Sequence, residues 1–294
     1  MSFKELSIGD QDVFREAEQA CPLTTSDVNF TNMFIWNEYY HFTWTKAFDC
    51  LCLLAHPENS DPFALPPLGG GDKMKAAEFL FNELTVPKMS RVPQELADLM
   101  GKLRPDWKVE SDPDNDDYVY LSEKLINLSG RRMHQKKNHY NSFVQNNRYE
   151  LLEVTRDLIP ELSTVEDLWL TAKTEKIGLQ SHLIMEKKAV HLLLANLETL
   201  NLHGLAIRIG GKIEAFTIGE VLNPDTAVIH AEKGNPDIRG IYVALCSNFC
   251  RRYYGAMKYI NREQDLGLPG LRFSKESLKP DHMSRKYVVT LEQF

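Results

Sequence analysis

Short segments of alternating hydrophobic and polar residues run through the second half of the chain, and each segment ends at a turn. Residues 205–210 alternate up to Gly210-Gly211, a dipeptide typical of a two-residue hairpin turn. Strands at 212–222 and 226–233 follow, and then apolar residues at 241, 245, 249 and 253 repeat with helical spacing. The pattern predicts three antiparallel strands that lead through a glycine-containing loop into a helix.

The first half shows a fainter version of the same pattern. Strands are predicted at 41–45, 47–56 and 63–68, and Gly69-Gly70-Gly71-Asp72 then opens a helix at 73–84, with the aspartate as its N-cap. The two halves share the pattern without residue-level identity. We therefore predict an α+β fold in which one structural plan occurs twice.

A boundary between two domains is predicted near the middle of the chain. An acidic turn at 112–117 precedes a short strand at 118–121, and a helix at about 131–147 opens the next segment. A strand at 150–155 and helices at about 165–176 and 181–200 follow. This reading divides the chain into an N-terminal domain, residues 1–128, and a C-terminal domain, residues 129–294, which holds the predicted active cleft.

Composition narrows the class of protein. Of 294 residues, 43% are hydrophobic and 26% are charged, as in globular proteins. No apolar run approaches the length of a transmembrane helix, and the N-terminus lacks the apolar region of a signal peptide. Five cysteines without a CxxC pair are read as free thiols in a reducing compartment, so we expect a cytoplasmic location. The net charge of −7 argues against general nucleic-acid binding.

Basic charge is nevertheless concentrated at residues 131–139, where four fixed positive charges occur without an acid: Arg131, Arg132, Lys136 and Lys137. Such a segment either binds an anion or forms a solvated helix face. Helical spacing also places a set of neutral polar side chains on one face: His134, Asn138, Asn141 and Gln145. These suit hydrogen bonding to a bound molecule, which the family resemblance described below implies is an acceptor or a tRNA end, or docking between domains. The neighbouring stripe is predicted to pack on the sheet: Met133, Lys137, Tyr140 and Val144.

The loop before the helix at 241 is a candidate phosphate site. A helix N-terminus presents unpaired backbone N–H groups and the positive end of the helix dipole, and both favour phosphate. Arg239 adds a fixed charge, and Gly240 allows close approach of a ligand to the backbone. The candidate donor-binding residues are Gly234, Arg239, Gly240 and Ile241. A plain connection between a strand and a capped helix is the alternative.

Three segments resemble one known family. Residues 128–141 resemble the signature L-x-G-[KR]-x…K-[RK]-N-x-x-N, residues 232–240 are similar to a second block, and residues 259–272 contain the string N-R-E-x-D-x-G-x-x-G-L-R. These blocks resemble the C-terminal domain of phosphatidylglycerol lysyltransferases. The resemblance covers residues 118–294 well and the first third more loosely. It implies two tandem domains of the GCN5-related acetyltransferase type, each a mixed, mostly antiparallel sheet flanked by helices.

The resemblance also implies a reaction. We expect an acyltransferase that moves an acyl or aminoacyl group from acyl-coenzyme A or aminoacyl-tRNA to an amine or hydroxyl, lipid head groups included. Aminoacyl-tRNA and membrane lipid head groups are the expected partners, and neither a permanently bound cofactor nor a metal is expected. The loop at 238–242 departs from the usual coenzyme A motif, [QR]-x-x-G-x-[GA]. A non-catalytic binding module that retains the fold is therefore the alternative.

Candidate catalytic residues follow from where strands end. Glu232, next to the glycine loop, is the expected base, and His230 is expected either to orient it or to replace it. Asn261 and Arg262 follow a predicted strand at 257–260 and suit a cleft between parted strands, Asn261 in catalysis and Arg262 in binding the acceptor or tRNA. A structural network of paired charges explains this last segment equally well. Glu232→Gln is expected to remove activity with little change in stability.

Overall fold

The structure, a computed structural model, describes residues 2–58, 60–82, 84, 86–178 and 180–291. Its strands are β1 (Lys4–Glu5), β2 (Thr43–Ala47), β3 (Cys50–Ala55), β4 (Phe63–Leu68), β5 (Lys88–Pro93), β6 (Trp107–Ser111), β7 (Asp117–Leu121), β8 (Tyr149–Glu153), β9 (His203–Ile209), β10 (Lys212–Asn223), β11 (Thr226–Gly234), β12 (Tyr259–Asn261), β13 (His282–Ser284) and β14 (Lys286–Leu291).

The α-helices are α1 (Gln11–Ala20), α2 (Phe30–Ile35), α3 (Asn37–Tyr40), α4 (Lys73–Asn82), α5 (Gln94–Leu103), α6 (Ser122–Asn127), α7 (His134–Asn146), α8 (Ile159–Ile177), α9 (Ser181–Ala195), α10 (Ile241–Tyr253) and α11 (Pro269–Ser277). Strands and helices form two mixed, mostly antiparallel sheets flanked by helices, so the predicted α+β class is confirmed.

The chain divides into two compact units. The first unit comprises Met1–Tyr118, Glu263–Arg272 and Met283–Phe294, and the second comprises Val119–Arg262 and Phe273–His282. The sequence-based division after residue 128 instead assigned the whole C-terminal segment to the second domain. The difference arises because β14 inserts between β5 and β6 of the first sheet, a long-range pairing that local sequence patterns do not encode.

In the first unit, seven strands form a sheet in the order β1-β2-β3-β4-β5-β14-β6. The predicted strand at 63–68 and the helix from residue 73 are confirmed as β4 and α4. Helix α4 packs its apolar face on the sheet through fully buried side chains: Ala76, Ala77, Leu80 and Phe81. Sequence patterns missed α1, β5, α5, β6 and β14.

In the second unit, the strand order is β13-β7-β12-β11-β10-β9-β8. Lys212 pairs with Ile209 across the predicted two-residue turn, in which Gly210 and Gly211 both have positive φ (58° and 84°). These angles are those of a type I′ hairpin turn, which suits glycine. Helix α10 lies on one face of the sheet, and α8 contacts β10 and β11.

Candidate functional site

The strands β11 and β12 run parallel and part before β11 ends. They pair only from Thr226–Tyr259 to Val228–Asn261, where β12 stops, whereas β11 continues to Gly234. Within the described residues, β11 thus extends six residues beyond the point where its pairing with β12 ends. This opening beside the start of α10 is the feature predicted from the sequence, and we call it the β11–β12 gap.

An ion pair spans the β11–β12 gap. Arg262, directly after β12, donates from Nη2 to Oε2 of Glu232 on β11, and the two side chains are only 15% and 10% exposed. Burial alone lowers the pKa of Arg262, but the Glu232 carboxylate outweighs this effect and the net pKa is raised. Lys275, 8% exposed, donates to the carbonyl oxygen of Arg262 and so fixes the segment that carries the guanidinium.

The second carboxylate oxygen of Glu232 differs from the first in its hydrogen bonding. Among the described residues, Oε1 of Glu232 is buried without a hydrogen bond, and the same holds for Oγ1 of Thr217. Thr217 is the direct cross-strand neighbour of Glu232, so both side chains face the same side of the sheet. Unsatisfied buried acceptors are costly and are commonly found where a ligand or water binds. The geometry places a free carboxylate oxygen beside the gap.

His230, expected from the sequence to orient Glu232 or to replace it, lies beside a second carboxylate, that of Glu220. A register shift between Ile218 and Gly219 leaves His230 as the extra residue of a β-bulge, and its Nε2 lies 3.0 Å from Oε1 of Glu220. A bulge breaks the strict alternation of strand side chains, so spacing by two residues no longer shows which groups meet. Asn261, fully buried, lies where the ladder to β11 ends.

Hydrogen bonds within the protein fix the glycine loop, residues 234–240, which leads from the end of β11 to α10. Asn235 donates to Glu214 at 2.9 Å and accepts from the N–H of Asp237 at 3.0 Å. The Ile241 N–H donates to the carbonyl of Ile238 at 3.2 Å, and the Ile241 side chain belongs to the core. Phosphate binding by the Ile241 backbone therefore stays a prediction, and it would require this N–H to exchange its present acceptor for the ligand.

Gly240 serves a different purpose from the one predicted. Its φ is +85°, and an added Cβ would overlap the carbonyl oxygen of His139 on α7 and crowd the side chain of Phe143. Here glycine is required because a neighbouring helix approaches the backbone, not a ligand. Gly234 is likewise buried in the sheet, and its carbonyl accepts from the Tyr242 hydroxyl at 2.7 Å.

Basic side chains converge beside this loop. Lys136 interacts electrostatically with Arg262 and Lys279, while His139 interacts with Arg239 and Lys136. Burial, followed by these like charges, lowers the pKa of both Lys136 and His139. Mutual repulsion of this kind is relieved when an anion binds. We call these five residues the basic cluster.

The face of α7 that packs inward differs from the prediction. Phe143 is fully buried and Met133 is 2% exposed, but Val144 is 41% exposed and Lys137 is exposed. The buried stripe follows the spacing 133, 136, 140 and 143, so Lys136 is half-buried on the inner side. The other predicted binding residues of this segment are exposed: Arg131, Arg132, His134, Lys137, Asn138 and Asn141.

Neighbouring ionisable groups are poor candidates for the chemistry. A hydrogen bond with Cys246, followed by burial, raises the pKa of Cys250 well above its ordinary value, so this thiol stays protonated. Burial raises the pKa of Tyr242 to about 12. Lys233 points to the opposite face of β11, where its ammonium lies 2.8 Å from Glu186 and 3.3 Å from the centre of the Trp169 ring. Glu232 therefore stays the predicted base.

Sequence reasoning missed several residues of this site. His139 lay inside the basic segment but outside the face that was singled out, and Lys279 lies in a segment without a recognisable motif. Thr217 belongs to the site only because strand pairing places it opposite Glu232. The available sequence signal for the correct α7 face was helical spacing, since Tyr140 and Phe143 follow Lys136 at intervals of four and three residues.

Metal-binding clusters and membrane-spanning helices are both absent from the described residues. No cluster of three His, Cys, Asp or Glu side chains with the geometry of a metal site occurs among them. Within the same ranges, no helix combines the length and apolar character needed to cross a membrane.

The fold and the parted strands define the class as a tandem GCN5-related acetyltransferase fold. The family model described as "Phosphatidylglycerol lysyltransferase, C-terminal" matches residues 19–290, and the chain belongs to that family. Family and fold thus relate the protein to acyl- and aminoacyl-transferring enzymes.

The chain is also similar to individual proteins. A conserved protein of unknown function from Bacteroides thetaiotaomicron is 29% identical, with a TM-score of 0.91 over 99% of this chain and 100% of that one. L-PGS from Bacillus licheniformis has the same fold at 16% identity, with a TM-score of 0.69 over 99% of this chain and 94% of that one. An uncharacterised protein of Mycoplasmoides gallisepticum is 26% identical over 176 residues, which span 58% of this chain and 55% of that relative.

Proposed function

We propose that the protein transfers an aminoacyl group from aminoacyl-tRNA to an amine or hydroxyl acceptor, for which a lipid head group is the leading candidate. The observation that carries the proposal is the basic cluster beside the β11–β12 gap. Its lysines, arginines and histidine come from four separate segments, and burial, followed by repulsion among them, lowers the pKa of Lys136 and His139. A polyanionic donor relieves this repulsion.

The loop geometry favours a tRNA donor over acyl-coenzyme A. In an acetyltransferase-like fold, a pyrophosphate is best held by free backbone N–H groups at the helix start. Here the Ile241 N–H is already bonded, and the carbonyl of His139 covers Gly240. Side-chain cations are left as the phosphate ligands. They suit the separated phosphates of a tRNA 3′ end better than one compact pyrophosphate.

In this mechanism the reaction needs no covalent enzyme intermediate. The acceptor amine or hydroxyl attacks the ester carbonyl of the donor, the new amide or ester bond forms, and the tRNA 3′-hydroxyl leaves. Oε1 of Glu232 takes the proton from the attacking group and passes it to the leaving ribose oxygen, while Oε2 stays on Arg262. Cations of the basic cluster hold the donor phosphates.

The non-catalytic alternative rests on the same ion pair. A carboxylate engaged by a buried guanidinium is a plausible structural bridge between parted strands, in place of the missing ladder hydrogen bonds. In that case the basic cluster binds an anion and no group is transferred.

The test follows protein-dependent loss of labelled amino acid from aminoacyl-tRNA in the presence of lipid vesicles or small amines. Arg239→Gln should weaken tRNA binding about three- to tenfold, and the matched variant Lys212→Gln, exposed in the β9–β10 hairpin, should not change it. Glu232→Gln should bind tRNA and fail to transfer. Binding without transfer by the unmodified protein would favour the binding module, and stabilisation by acyl-coenzyme A alone would overturn the choice of donor.

A further inference from the structure

A second opening lies in the first unit, where no role has been assigned. A cavity of about 280 Å³ sits at the C-terminal ends of β4 and β5, a volume near the lower end for small-molecule sites. Its walls are mostly apolar and include Leu23, Val28, Pro66, Pro67, Leu68 and Leu96. We call it the β4–β5 cavity.

The sequence explains why the strands part here. The parallel strands β4 and β5 are paired at Ala64–Met89, and the next residues of β4 include Pro66 and Pro67. Proline has no backbone N–H to donate, so whichever of these two adjacent residues faces β5 cannot donate a ladder hydrogen bond to it. The cavity thus occupies the place in the first unit that the β11–β12 gap occupies in the second.

Protein atoms occupy the space beside Gly69 and Gly71 in the loop after β4, as they do beside Gly240. An added Cβ on Gly71 would overlap the carbonyl oxygen of Phe48, and Gly69, with φ +104°, lies against the carbonyl of Asp49. A ligand in the β4–β5 cavity therefore meets side chains and not an open backbone cradle.

Two polar groups in the cavity wall lack a strong partner. Thr25 is 1% exposed, and its Oγ1 has no hydrogen bond within the described part of the chain. Lys73, the first residue of α4, is half-buried and donates to Sγ of Cys21 at 3.0 Å. A thiol sulfur is a weak acceptor, so this contact offers the ammonium group little stabilisation.

These groups limit the class of ligand. Lys73 at the start of α4 favours an anion, and the helix dipole adds to that preference. Glu95, an exposed carboxylate in the same lining, opposes a highly charged ligand such as a polyphosphate. The apolar walls require a hydrocarbon body. A monoanion with a short aliphatic chain satisfies all three conditions.

We propose that the β4–β5 cavity binds a small aliphatic carboxylate. Its carboxylate forms an ion pair with Lys73, which exchanges the thiol of Cys21 for a charged acceptor, and accepts a hydrogen bond from the Thr25 hydroxyl. Its chain lies against Pro66 and Leu68. This site is separate from the proposed transferase site and does not depend on it.

The test measures binding of hexanoate to the full chain by calorimetry, with hexanol and hexylamine as probes of head-group charge. Hexanoate should bind, and the two others should bind at least tenfold more weakly, because neither supplies an anion for the ammonium. Lys73→Gln should weaken hexanoate about tenfold. Lys75→Gln is the matched control: Lys75 lies in the same helical turn, is 64% exposed, and pairs with Asp72 at 3.2 Å.

Thr25→Val adds an independent check, because it removes a hydroxyl that has no partner and should not impair folding. It should weaken hexanoate several-fold and leave the midpoint of unfolding unchanged or raised. Absence of hexanoate binding, equal binding of hexanol, or equal effects of Lys73→Gln and Lys75→Gln would each overturn the proposal. Because Arg239→Gln should not affect hexanoate, failure here is distinguishable from failure of the transferase proposal.

Discussion

Removal of the Glu232 carboxylate should destabilise the protein as well as inactivate it. The side chains of Glu232 and Arg262 are about nine-tenths and five-sixths buried, so Glu232→Gln leaves a buried guanidinium without its counter-ion. Breaking a buried ion pair by removing one partner costs about 3–5 kcal/mol. The sequence-based expectation of little change in stability is replaced by this one, because the sequence did not reveal that the carboxylate is buried and paired.

The matched control is the exposed ion pair of the same unit. Glu153 on β8 and Arg252 on α10 lie 3.1 Å apart, with 59% and 43% of their side chains exposed. Exposed pairs contribute about 0–1 kcal/mol, so Glu153→Gln should change the free energy of unfolding by less than about 1 kcal/mol. Both variants exchange a glutamate for its neutral isostere on a strand of one sheet, so their difference isolates burial.

The assay is urea unfolding followed by circular dichroism. With a urea m-value of about 3 kcal/mol/M, a loss of 3 kcal/mol lowers the midpoint by about 1 M. The double variant Glu232→Gln/Arg262→Met removes both charges and should recover part of the loss, because no uncompensated ion remains. A Glu232→Gln midpoint equal to that of Glu153→Gln would refute the reasoning, and so would a double variant less stable than the sum of its parts.

Two further predictions concern α7 and its neighbours. In urea unfolding, Gly240→Ala should lower the free energy of unfolding by at least about 2 kcal/mol more than Gly130→Ala does. Both glycines have positive φ, but only at Gly240 would an added Cβ meet backbone atoms. Equal losses in the two variants would contradict the packing around Gly240. Burial, Arg239 and Lys136 lower the pKa of His139 below 6.5, so the unfolded chain binds more protons than the folded one just below that value. Stability, measured by thermal unfolding, should therefore fall as pH drops through about 6.5. His139→Gln should flatten this part of the pH profile. Neither effect is expected if His139 titrates normally.

The candidate site shows where sequence patterns carry information and where they do not. Strand ends and glycine loops were located correctly, because turns and helix starts depend on a few neighbouring residues. The surroundings of Gly240 and His230 could not be predicted, because one depends on a carbonyl from α7 and the other on a bulge in strand pairing. A local motif does not show whether its neighbours are solvent, regular sheet or another helix.

By itself, the sequence determined the α+β class, the hairpin at Gly210, the strand–loop–helix plan in both halves and the family. These features follow from periodicity, turn chemistry and motif, which are local properties of the chain. Tertiary structure alone decided that β14 pairs with strands of the first sheet and that Arg262 forms an ion pair with Glu232. It also decided that Lys136 interacts electrostatically with other cations. Pairings between distant residues depend on how whole sheets assemble, and no short segment of sequence specifies them.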